Sequence, residues 1–139
     1  MIARLFKYFT LLLWGGFVYY CIELIYRGYS HSSMFIAGGI CFLLIGFLNN
    51  YLPWNLGIIQ QSAIGAVIIT AIELIVGLIV NTWLGLDVWD YSDLSLNFMG
   101  QISLLFTIQW IPLAAAAIFL DDFLRWKLFG DEKPRYTLF

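Results

Sequence analysis

Two carboxylates stand where an apolar chain tolerates them least. Glu73 lies inside the run Ile58–Val80, and Glu23 lies inside Tyr8–Tyr26. A helix needs about 20 apolar residues to cross a bilayer core. An acid near its centre costs on the order of 2.5–3.5 kcal/mol on insertion scales. A group kept at that cost has a partner, a wet cavity or a task such as ligand capture or cation exchange. Arg27 follows Glu23 at i+4, the acid-first order that favours an ion pair, so simple pairing competes with function there. The helix of Glu73 carries no base. Its partner is expected across the bundle, and Glu73 is the residue to which a functional role is given.

Further polar groups cluster in two segments, Arg27-Gly28-Tyr29-Ser30-His31-Ser32-Ser33 and Trp89-Asp90-Tyr91-Ser92, the latter followed by Asn97 and Gln101. Polar side chains at helix ends beside glycine form many small-molecule sites. The candidate ligand-binding or gating set is therefore Glu73, Glu23, Arg27, His31, Asn81, Trp89, Asp90, Tyr91, Asn97 and Gln101, lining one outward pocket. His31, the single histidine, is either a proton relay or a solvated loop residue. No hydrolase elbow, P-loop, metalloprotease helix or Cys pair occurs. Ser32 and Ser33 beside His31 are adjacency, not triad geometry. No catalytic residue, metal ligand or cofactor is assigned, and Cys21 and Cys41 read as small packing residues.

The elements that must position these groups are membrane helices. Hydrophobic residues make up 62% of the chain and charged residues 12%, about half the charged share of a soluble domain. Mean hydropathy is +0.86. Four spans are predicted: about Tyr8–Tyr26, Met34–Leu48, Ile58–Val80 and Phe98–Leu120. They form an all-α, four-helix transmembrane bundle over residues 1–120. Residues 121–139 form a cytoplasmic part, a short interfacial helix over Asp121–Gly130 in which Arg125 and Lys127 reach phosphates, and then a loosely ordered end. Six of the seven basic residues fall at the N-terminus and in the C-tail. The positive-inside rule then places both termini in the cytoplasm of a cell (plasma) membrane protein. Tyr26, Tyr29, Tyr51, Trp54, Trp83, Trp89 and Trp126 read as an interfacial belt, and Trp14 and Trp110 as packing residues.

The halves at about 8–50 and 58–120 resemble each other. Gly15–Ile25 aligns without gaps on Gly65–Ile75 and superimposes the two glutamates, and Ser33–Leu43 lies over Ser95–Leu105. Two spans per half imply parallel helix-hairpin repeats, with both acids at similar depth in the outer half of the bilayer. Ser62, Ala66, Thr70, Glu73, Gly77 and Asn81 share one helical stripe of small and polar residues, the kind that packs against other membrane helices. Gly16, Tyr20, Glu23 and Arg27 form a matching stripe.

Several of these segments resemble a known family. Glu23…Arg27–Met34, Gly38-Gly39 and Gly46–Asn49, then Ile69–Asn81, Val88–Ser92 and Asn97–Ile102, are similar to the type IV ABC-transporter permease family, the CmpB-like small membrane proteins. The resemblance runs from about Tyr20 to Asp121 and implies a multi-pass permease that works with an ATPase subunit. The inner loop Asn49–Leu56 is short and uncharged, so a large partner has only the C-tail to dock on. The expected function is a small transporter permease or substrate-binding membrane subunit. Two alternatives stand beside it: a structural or regulatory subunit binding lipid or protein, and a membrane-embedded enzyme acting on lipid. The expected partners are the bilayer, further copies or a larger membrane complex, and an ATPase, with no role for nucleic acid.

Overall fold

The computed structural model describes residues 1–48 and 56–138. Among these residues are four α-helices: α1 Ile2–Arg27, α2 Ser32–Gly46, α3 Ile58–Gly77 and α4 Leu104–Phe129. A π-helical turn, Leu78–Trp83, prolongs α3. The segments Ile2–Arg27, Ile58–Trp83 and Leu104–Phe129 are each long and apolar enough to cross a membrane. α2 is also apolar but has 15 residues, about 22 Å of helix. The inner loop from Asn49, with Tyr51 and Trp54, lies outside the described residues.

The chain runs up, down, up, down. In the first hairpin Gly16 of α1 lies against Phe35 of α2, and Gly39 of α2 against Leu12 of α1. A side chain at either glycine would meet its neighbour's backbone, so the small residues set how closely the helices approach. In the second hairpin Gly65 packs on Ala114, and the Thr70 and Thr107 hydroxyls meet at 2.9 Å. The hairpins join through Ile45, Ala114 and Ile118. At the amino-terminal end of α1, Leu11 and Tyr8 pack with Leu124 and Phe129 of α4. The Ser62-to-Asn81 stripe faces inward as expected: Ser62, Ala66 and Gly77 are buried, and Thr70, Glu73 and Asn81 are partly so.

The fourth span begins at Leu104, not Phe98, because Asn97–Phe98 and Ile102–Ser103 pair as a two-stranded antiparallel ribbon. Its turn carries left-handed φ at both Met99 (55°) and Gly100 (72°), which a helix cannot contain. The segment Ser95–Ser103, aligned on helical Ser33–Cys41, is therefore not its structural counterpart, whereas Gly15–Ile25 and Gly65–Ile75 are helical throughout.

The expected short C-terminal helix is the last part of α4, continuous with the span. Asp121 and Arg125 face the interior there, with Arg125 Nε 2.8 Å from Asp121 Oδ2. Arg125 is thus buried in an ion pair, not extended to phosphates. The end of the chain is also tied down. The carbonyls of Thr137 and Leu138 accept from Ile58 and Ile59 N–H at 2.7 and 3.3 Å, filling the first orphan donors of α3. The Tyr136 hydroxyl donates to Asp122 at 2.7 Å.

The aromatic residues divide differently from the belt expected of them. Trp83 is 79% exposed, but Trp89 is 8% exposed and packs with Met34, Val80 and Val88. Trp14, expected inside, is 43% exposed on α1.

Candidate functional site

The hairpins part at the end where α1 and α3 finish. A cavity of about 250 Å³ opens there, lined among others by Glu23, Arg27, Tyr91, Phe106 and Gln109. A second cavity of about 130 Å³ lies deeper, walled by residues such as Gly38, Cys41, Ile69 and Ala117, with Glu73 as its one charged side chain. Tyr19, Ile22, Met34, Trp89, Trp110 and Leu113 line both. The two adjoin through these shared walls, a polar mouth beside an apolar chamber, and together make up the cleft.

Glu73 hangs from α3 at the junction. Tyr91, from the loop between α3 and α4, donates its hydroxyl to Oε1 at 2.6 Å. Trp110, from α4, donates its indole N–H to Oε2 at 3.0 Å. Burial first, and then the nearby Glu73 carboxylate, push the Tyr91 phenol well above its ordinary pKa, so it remains a donor. The partner expected across the bundle is therefore a pair of neutral donors. Glu23 is served differently. Its Oε1 accepts from the Tyr19 hydroxyl at 2.9 Å, and its Oε2 lies 2.5 Å from Arg27 Nε. Arg27 also donates to the Val88 carbonyl at 3.2 Å and lies over the Tyr29 ring, 4.7 Å from its centroid.

The rest of the candidate set builds the loop that closes over this end. Asn81 Oδ1 accepts from Val88 N–H at 2.7 Å, and Asn81 Nδ2 donates to Gln101 Oε1 at 2.8 Å. The Trp89 indole donates to the Gln101 carbonyl at 3.0 Å. Asn97 ties Leu94 and Gly100 together. Asp90 is exposed and accepts from Ser92 N–H at 2.9 Å; hydrogen bonding to Ser92 holds its carboxyl below the usual range. Asn81 lies in the π-helical turn Leu78–Trp83, a local rewinding frequent at functional positions. His31 caps α2, its Nδ1 accepting from Ser33 N–H at 3.1 Å, and does not line the cleft.

Glu73, Glu23, Arg27, Tyr91 and Trp89 are therefore brought to the cleft, while Asn81, Gln101 and Asn97 shape its lid. Sequence reasoning missed Trp110 and Tyr19 as donors to the two carboxylates. Tyr19 stands at i−4 from Glu23, a spacing that signals contact on a helix. Trp110 gives no such local signal, because its partner lies on another helix. Among the described residues no cluster of His, Cys, Asp and Glu has the form of a metal site.

The family model described as "Putative ABC-transporter type IV" matches residues 8–129. The chain belongs to that family. The match takes in the residues that line the cleft and all of the four helices except the first residues of α1. With three helices long and apolar enough to span, the chain is a membrane protein of this family. Comparison with curated proteins and with solved structures gives no match.

Proposed function

We propose that this chain is the membrane-embedded, ligand-binding or permease subunit of a transport system, with its site in the cleft between the hairpins. The observation that carries this reading is the position of Glu73. A carboxylate with both oxygens engaged stands where a polar mouth meets an apolar chamber. Sites for small molecules are typically concave and apolar with a few placed polar groups. Charged residues kept at membrane depth typically serve such a path. Glu23 and Arg27 neutralise each other at the mouth and act as its polar rim.

On this reading the N- and C-termini are cytoplasmic and the mouth faces outward, in a cell membrane, as the distribution of Lys and Arg supports. Four helices are too few to enclose an alternating path, so further copies or a larger complex complete it. The apolar outer face of α1, with Phe6, Phe9 and Phe17 exposed, offers the surface for lipid or another helix. An ATPase partner would dock at the inner end, beside the C-tail. The test is purification from native membranes in mild detergent, with the retained subunits identified by mass spectrometry. An ATPase held in fixed proportion is expected. Recovery of this chain with no ATPase would contradict the transport-complex reading.

A further inference from the structure

We propose that the cleft takes a monovalent organic cation with an apolar body, the class of a protonated alkyl- or arylalkylamine. This rests on the ligand-site reading above and gives it a substrate class.

The first argument is charge balance. The acidic and basic side chains lining the cleft are Glu23, Glu73 and Arg27. The guanidinium pairs with Glu23 and donates through Nη1 to the Val88 carbonyl, while its buried Nη2 makes no hydrogen bond. The three ion pairs among the described residues do not include Glu73, whose oxygens take neutral donors from Tyr91 and Trp110. Glu73 is thus the acid of the cleft with no base beside it, and a bound cation would pair with its ionised form in surroundings of low polarity, where such a pair attracts strongly.

The second argument is the lining. Tyr19, Trp89, Tyr91, Phe106 and Trp110 all line the mouth. Aromatic faces attract cations. Tyr91 and Phe106 stack at 4.6 Å with planes 11° apart, a rigid aromatic wall at the mouth. Beyond Glu73 the chamber is apolar and about 130 Å³, suited to one ring or a short alkyl chain. A sugar or peptide would strand its polar groups there. An anion would meet Glu73 and an Arg27 whose charge Glu23 already balances. A small cation with an apolar tail satisfies both ends.

The test uses three compounds with one apolar body: 4-phenylbutylamine (cation), 4-phenylbutanol (neutral) and 4-phenylbutyrate (anion). Each is titrated calorimetrically into the full chain in phosphatidylcholine nanodiscs, with empty nanodiscs as the blank. The amine is expected to bind at least about tenfold more tightly than the other two. Glu73→Gln should bring the amine down to the affinity of the alcohol. The comparison among ligands on the wild-type chain stands even if that variant folds poorly. Equal affinity of amine and alcohol, or tighter binding of the butyrate, would overturn the cation assignment and leave the ligand site in place. Binding of none of the three would overturn the ligand site itself.

Discussion

Trp110 on α4 donates its indole N–H to Glu73 on α3 across 3.0 Å, which ties the two helices of the second hairpin at the depth of the cleft. Trp110→Phe keeps most of the ring and leaves Oε2 without its donor. An unsatisfied buried acceptor costs about 1–3 kcal/mol, and interhelical hydrogen bonds in membranes fall at the lower end of that scale. The variant should melt a few degrees below wild type in detergent, and Tyr91→Phe should do the same. Unchanged melting in both would mean that the carboxylate is not held as described.

Asp121 and Arg125 make the second prediction. Asp121 is fully buried, and the Arg125 guanidinium lies 5.9 Å from the Tyr8 ring centroid and 6.0 Å from that of Phe47. Removing one partner of a buried pair costs about 3–5 kcal/mol, because the other charge is left uncompensated. Arg125→Met and Asp121→Asn should each lower the melting temperature sharply, and the double variant should recover part of the loss. Strict additivity in the double-mutant cycle would show that the pair is not coupled.

The contrast between these residues shows what the chain discloses locally. Glu23 and Arg27 were legible as an i, i+4 pair, and Asp121 and Arg125 have the same spacing and order. The second pair was obscured because Phe123, Trp126 and Phe129 beside it suggest a surface helix. The inward stripe of α3 was legible because small residues recur every three or four positions. The ribbon at Asn97–Ser103 was not: Phe98, Met99 and Ile102 continue an apolar run, and only Asn97 and Gly100 hint at a turn. Trp110 to Glu73 and Thr137 to Ile58 are contacts between distant segments, which periodicity does not record.

The C-tail supplies the third prediction. Thr137 and Leu138 accept from the first N–H groups of α3, and Tyr136 donates to Asp122. Burial and the hydrogen bond to Asp122 raise the Tyr136 phenol above its ordinary pKa, so it stays a donor. Truncation after Phe129 removes all three contacts. It should destabilise the chain by about 1–3 kcal/mol and speed hydrogen exchange at the start of α3. Exchange rates there equal to wild type would show that the tail does not cap that helix.

Topology is the fourth. Single cysteines at Ser30 and Ser92, in a chain lacking Cys21 and Cys41, should react with a membrane-impermeant maleimide in intact cells. One at Arg4 should react only after lysis. The reverse pattern would invert the orientation proposed for the cleft.

The central claim, that a ligand occupies this cleft through Glu73, can be read from inside the cleft itself. Cys41 lines the apolar chamber. With Cys21→Ala removing the other thiol, alkylation of Cys41 by N-ethylmaleimide is followed by mass spectrometry in nanodiscs, with and without 4-phenylbutylamine, for the chain with and without Glu73→Gln. Melting temperatures are recorded alongside. The account predicts that the amine slows alkylation severalfold when Glu73 is present and has no effect when it is glutamine, both proteins being folded. Equal slowing in both, or no slowing when Glu73 is present, would contradict it.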